Sequence, residues 1–193
     1  MPRIPYVYMN EGESDVADRI RSRRADGKLL ELDAMLLNAP QIADGYNALL
    51  RAVRMESVVP DALKELVILR VAALNSAAFE WIHHEPIGRK AGLSTTELAT
   101  IRDTSRACSS GSTSTLSPLY AAALVYTDYI TRSIRVPQDV FDNLRAQLGS
   151  DQQMVEVTVT AATYNMVSRV LVALDISDKA NTEVPSVDIE PVD

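Results

Sequence analysis

Histidine and cysteine are nearly missing from this chain of 193 residues, which has two histidines, adjacent at His83 and His84, and one cysteine, Cys108. A lone cysteine forms no intrachain disulfide and supplies neither a CxxC pair nor a zinc knuckle. With no third histidine, Glu80 and His84 offer two metal ligands at most, so no metal and no cofactor is expected. Basic charge is also short. Nineteen Lys and Arg stand against 26 Asp and Glu, a net charge of −7, which argues against nucleic acid or an anionic membrane as a partner. No apolar run reaches the length of a membrane span. The Met-Pro-Arg start has no apolar signal core, so a reducing, cytoplasmic setting is expected.

What is present suits one globular domain: hydrophobic residues make up 47% and charged residues 23%. Residues 1–12, with Pro2 and Pro5, read as an extended arm whose Tyr6, Val7, Tyr8 and Met9 can anchor on a neighbouring surface. Helical periodicity then recurs: from Ser14 or Asp15 to Arg24, around Leu29–Leu37, over Ile42–Met55, and from Pro60-Asp61 through an apolar run ending at Leu74. Ala77–Lys90 follows, then a capping box at Ser94-Thr95-Thr96-Glu97. The polar stretch 104–118 is a connector or a lid. Three further helices are expected over Leu119–Ile134, Pro137–Leu148 and Gln152–Leu174. The last is rich in Val and Thr, which favour strand, but no second strand exists to pair with it. The fold class is therefore all-α, over residues 13–176. Residues 177–193 hold five acids and one base and read as an acidic tail, flexible or draped on the surface. Glu65 before one apolar run and Glu156 before another form a weak internal echo.

The chemistry-bearing residues gather around the histidines. On a helix Glu80 and His84 share a face, whereas His83 points about a hundred degrees away. A carboxylate beside an imidazole raises its pKa and fixes its tautomer, as proton transfer near neutrality requires. The blander reading is a solvated Glu–His surface pair. Against it, the preceding segment is apolar almost all round, and Phe79, Trp81 and Ile82 add bulk. Glu65 heads that buried segment, where a helix N-terminus also favours an acid. Arg70, the single charge within it, needs either a structural carboxylate or a substrate carboxylate. Pro86 kinks or ends the helix just past His84.

The pattern Glu65, eleven residues, Ala77, two residues, Glu80, three residues, His84 resembles the signature of the carboxymuconolactone decarboxylase and alkylhydroperoxidase D-like superfamily. Its peroxidase branch reads Glu-x11-Cys-x2-Cys-x3-His. Here Ala77 and Glu80 replace both cysteines, so the resemblance is to the cysteine-free branch. It spans about residues 30–176. It implies an all-helical homo-oligomer, a site at the motif helix, and Glu65 and His84 as the proton-handling pair. Dithiol peroxidase chemistry needs a thiolate and a resolving thiol, which makes a thiol peroxidase the last choice.

The expected function is a cofactor-independent acid/base enzyme, a decarboxylase or related lyase, isomerase or cyclase. Its substrate would be a small organic acid, lactone or enolisable metabolite, from secondary metabolism or aromatic-acid breakdown. His84, Glu80 and Glu65 are the catalytic candidates, with Glu80 tuning His84 and Glu65 relaying the proton. His83, Arg70, Trp81, Tyr164 and Asn165 are candidates for substrate contact. The competing expectations are a non-catalytic oligomeric binding protein and a residual redox role for Cys108.

Overall fold

The computed structural model describes residues 1–24, 26–106 and 115–187. Helices are the regular elements among these residues. They are α1 (Asp15–Arg23), α2 (Glu31–Leu36), α3 (Pro40–Arg51), α4 (Asp61–Leu74), α5 (Ala78–Lys90), α6 (Thr95–Arg102), α7 (Pro118–Arg132), α8 (Gln138–Gln147) and α9 (Asp151–Ala173). A π-helical turn, Ala52–Glu56, extends α3. None of the helices is long and apolar enough to cross a membrane.

Local chemistry sets the helix starts. Ser14, Ser94, Ser117 and Ser150 each accept a backbone N–H with the side chain at the head of α1, α6, α7 and α9. At α6 the box is reciprocal, since Glu97 Oε2 accepts from the Ser94 N–H at 2.8 Å. The α9 cap is Ser150, and Asp151 is the first helical residue. α9 is helical despite its Val and Thr content. Its inner face joins the core through Val157, Ala161, Tyr164 and Val167, while the hydroxyls of Thr158 and Thr160 bond back to the carbonyls of Met154 and Glu156. Packing outweighs propensity there. α5 runs through Pro86 to Lys90 instead of ending at it.

The centre of the molecule is α4, buried from Leu63 to Ala72. It packs against α5, α6, α7 and α9. An all-round apolar helix of this kind has no solvent face and sits inside a bundle. The charged residues of its buried stretch are Lys64 and Glu65 near the start and, deeper in, the fully buried Arg70. Its guanidinium donates twice to Asp128 of α7, at 2.6 and 3.0 Å, and to the carbonyls of Ile101 and Asp103 at 2.7 and 2.9 Å. A smaller cluster of Ala17, Ile20, Leu37 and Ala43 sits to one side, covered by Val7 and Met9.

The N-terminal arm and the described residues after α9 lie on the body of the chain. The Arg3 and Val7 N–H groups donate to the carbonyls of Leu174 and Ala34, and the Ser177 N–H donates to the Tyr6 hydroxyl. Arg102 donates to the carbonyls of Val184 and Pro185 at 2.8 and 2.6 Å. Val184 and Val187 pack on the core. Of the two expectations for the tail, flexible or draped on the surface, these contacts fit the second as far as residue 187. Residues 188–193, and residues 107–114 with Cys108, lie outside the described residues, so the question of a lid over 104–118 does too.

Candidate active site

α4 and α5 pack tightly, and Gly88 shows why they can. A Cβ built there lies 3.1 Å from both Leu69 Cδ1 and Leu93 Cδ1, and 3.6 Å from Glu65 Cβ. That closeness brings Glu65 of α4 to His84 of α5. The buried His84 Nδ1–H donates to Glu65 Oε2 at 2.7 Å. A carboxylate acceptor at Nδ1 fixes the tautomer, leaving Nε2 as the acceptor lone pair. The ring also meets Tyr164 of α9 edge-on, with centroids 5.0 Å apart. Burial lowers the His84 pKa below its ordinary value, a shift that Glu65 opposes and the Arg54 charge reinforces.

Glu80 sits one turn earlier on α5 and is 2% exposed. Neither of its carboxyl oxygens has a hydrogen-bond partner. Burial first, and the Glu65 charge second, raise its pKa well above the ordinary carboxylate value. Its surroundings therefore favour the neutral carboxylic acid, which has a proton to donate. Leaving such a group unpaired costs roughly 1–3 kcal/mol, which marks it as a place where a ligand belongs. Tyr46, whose buried hydroxyl also lacks a partner, lies close to Glu80.

Of the two carboxylates expected beside His84, the structure pairs it with the one that the family resemblance implied. The carboxylate that holds His84 is Glu65, nineteen positions away, and not its helical neighbour Glu80. The net shift of His84 is downward, because desolvation outweighs the carboxylate. Burial thus favours the protonated form of Glu80 and the neutral form of His84, which separates an acid from a base.

Glu80, His83, His84 and Tyr164 line one pocket of ≈ 120 Å³, walled by apolar residues including Leu50, Phe79 and Ile87. His83 is exposed at its edge. Its ring stacks on Phe79 at 4.1 Å and its Nδ1–H donates to the Phe79 carbonyl at 2.8 Å. Three candidates for substrate contact lie elsewhere. Arg70 is fully buried with its donors committed to Asp128 and two carbonyls. Trp81, on the far side of α5, is 1% exposed and packs in the core. Asn165 bonds to Thr131 and to the Ala161 carbonyl, and accepts from Asn75 and Arg169.

A second hollow of ≈ 480 Å³ adjoins the first and shares Arg24, Arg54 and Ile87 with it. Glu65, Arg23, Lys64 and Lys90 are also in its wall. The Glu65–His84 hydrogen bond therefore spans the partition between the two. Arg54 was not among the sequence candidates. Following Arg51 at helical spacing, it reads as part of a solvated face, and nothing in the sequence announces the π-helical turn that redirects it. Among the described residues no group of three or more His, Cys, Asp or Glu side chains is arranged to hold a metal ion.

Residues 40–115 match the model of the carboxymuconolactone decarboxylase family. No curated protein matches the chain. Among solved structures, a protein of unknown function from Agrobacterium tumefaciens, named for the antioxidant defence protein AhpD, is 23% identical with a TM-score of 0.63, over 72% of this chain and 92% of that one. An uncharacterised peroxidase-related protein from Silicibacter sp. TM1040 is 12% identical with a TM-score of 0.73, over 93% and 94%. A debrominase, solved as a cysteine-to-alanine variant with 2,3,4-tribromopyrrole, is 14% identical with a TM-score of 0.68, over 95% and 93%. At these identities the likeness is one of fold.

Proposed function

Because residues 40–115 match the carboxymuconolactone decarboxylase family model and the fold is similar to that of AhpD-like proteins, we propose that the chain is a cofactor-independent acid/base enzyme acting on a small enolisable organic acid or lactone. One observation carries this reading. An imidazole held by a carboxylate and a buried carboxyl group without a hydrogen-bond partner line the same small pocket.

The chemistry follows from the protonation states that burial favours. His84 Nε2 takes a proton from the carbon next to a substrate carbonyl. The released electron pair moves onto the carbonyl oxygen, which the Glu80 O–H hydrogen-bonds or protonates. Glu65 stabilises the imidazolium that forms, across 2.7 Å. Return of the proton to a different carbon isomerises the substrate. In decarboxylation the C–CO₂ bond breaks instead, its electron pair moves onto the same oxygen, CO₂ leaves, and a proton fills the vacant carbon position. Tyr164 and Phe79 shape the pocket, and His83 guards its edge. Self-association into a homo-oligomer is part of the proposal.

The missing thiols set this reading apart from peroxidase chemistry, since Ala77 and Glu80 stand at the two cysteine positions. The test is exchange of carbon-bound hydrogen in D₂O, followed by NMR over a panel of β-keto acids and unsaturated lactones. Wild type and Cys108→Ser are expected to exchange a panel member, while His84→Gln and Glu80→Gln lose about a hundredfold or more. Equal exchange in all four proteins, or a loss confined to Cys108→Ser, would sink the proposal.

A further inference from the structure

The larger hollow concentrates positive charge in a protein whose net charge is −7. Its cations are unequally served. Lys64 pairs with Asp61 at 2.9 Å. Arg24 donates twice to Asp33, at 3.0 and 2.7 Å. Arg23 donates to Asn47 at 2.5 Å and lies 3.9 Å from that same Asp33, so one carboxylate serves two guanidiniums. Glu65 is taken by His84. Arg54 and Lys90 have no ion pair among the described residues. Burial and the charges of Arg24 and Arg54 lower the Arg23 pKa, while Asp33 opposes them. Cations crowded around a cavity in this way create a strong positive potential inside it.

The frame around Arg54 is fixed even though its guanidinium is unpaired. The Lys64 ammonium donates to the Arg54 carbonyl at 3.0 Å. At the exit of the π-helical turn, Glu156 Oε2 accepts from Ser57 Oγ at 2.6 Å and from the Val58 N–H at 2.8 Å. A half-buried arginine is thereby held from α4 and α9 at the lip between the two hollows. A guanidinium presents paired donors that suit a planar oxyanion.

We propose that this hollow is an oxyanion subsite in which Arg54, supported by Lys90 and the Arg23–Arg24 pair, holds a carboxylate or phosphate group of the substrate. Since Arg54 and Ile87 line both hollows, an anion on Arg54 leaves the rest of its molecule facing His84 and Glu80. The substrate class is then an acid with a separate apolar, enolisable body. The nature of that body rests on the acid/base reading above, whereas the anion subsite does not.

The test is calorimetric titration of the full chain at low ionic strength with inorganic phosphate, acetate and the uncharged control acetamide. Wild type is expected to bind at least one anion and not acetamide. Arg54→Gln weakens that binding about tenfold, the loss of one charge-assisted contact. The exposed Lys90→Gln, which leaves the fold untouched, weakens it by about threefold. Glu80→Gln binds as the wild type does. Anion binding no stronger than acetamide binding would overturn the subsite, as would wild-type affinity retained in both Arg54→Gln and Lys90→Gln. If His84→Gln kept its deuterium exchange while Arg54→Gln lost anion binding, the chemistry would fall and the subsite would stand.

Discussion

His84 and Glu80 are one helical turn apart, yet burial pushes them in opposite directions. Burial disfavours whichever form is charged, so it lowers the imidazole and raises the carboxylic acid. Glu65 raises both groups, adding to the shift of Glu80 and opposing that of His84. The proposed reaction needs His84 neutral and Glu80 protonated at once. The expected kcat/KM profile is therefore a bell. Its acid limb lies below the usual imidazole value of 6.5 and its basic limb well above the usual carboxylate value of 4.5. Glu65→Gln removes the opposing carboxylate, so the acid limb moves to still lower pH and the rate falls by about ten- to a hundredfold. A profile indifferent to Glu65→Gln would separate the carboxylate from the chemistry.

Which residues were visible in the sequence follows from what holds them. Glu80 and His84 were legible because both lie on one helix at a spacing of four. The Glu65–His84 pair was legible only through the family resemblance, since Glu65 reaches His84 through the packing of α4 on α5, a tertiary fact. Arg70 shows the same limit. Its isolation in an apolar run predicted a buried partner, but only the fold shows that Asp128, 58 positions on, consumes it. Arg54 was invisible because a π-helical turn leaves no residue-type signature.

At the scale of the element, the site depends on how closely α5 rides on α4, and two glycines separate that effect from helix propensity. Gly45 lies exposed in α3 with nothing within 4 Å of a built Cβ. Gly45→Ala is therefore expected to stabilise the protein by about 0.5–1 kcal/mol. At Gly88 the same propensity gain meets two leucine methyls at 3.1 Å. Overpacking of this kind costs about 1–3 kcal/mol, so Gly88→Ala is expected to destabilise by about 1 kcal/mol net. Glu65 Cβ is the third neighbour, so turnover should fall with it. Urea denaturation of both variants reads the contrast, and equal gains at the two sites would contradict close packing of α4 on α5. The tie between α4 and α7 is stronger. Asp128→Asn leaves the buried Arg70 charge uncompensated and is expected to cost about 3–5 kcal/mol in the same assay. The helices themselves were largely readable from apolar spacing and serine caps. The exception in local terms, α9, forms because burying Val157, Ala161, Tyr164 and Val167 outweighs the strand preference of its Val and Thr residues.

For the whole molecule, a site that holds the wrong protonation state for water must weaken the fold as pH changes. Above 4.5 the unfolded chain ionises Glu80 while the folded chain keeps its proton. The folded state then binds more protons than the unfolded one, so this contribution falls as pH rises through the window from 4.5 to the raised folded value. His84 acts with the opposite slope. Its folded value is depressed, so below 6.5 the unfolded chain takes up a proton that the folded chain resists, and stability falls as pH drops. Substituting each group by a neutral amide removes its own dependence and leaves the rest of the charge set unchanged. Glu80→Gln is therefore expected to melt at a higher temperature than the wild type at pH 8, with the gap closing towards pH 4. His84→Gln should gain on the wild type only as pH falls below 6.5. Thermal melts across that range check both, and a Glu80→Gln advantage that does not grow with pH would mean Glu80 is ionised in the folded protein. That result would also remove the acid from the proposed mechanism, so the stability of the molecule and the chemistry of its site are tested by the same proton.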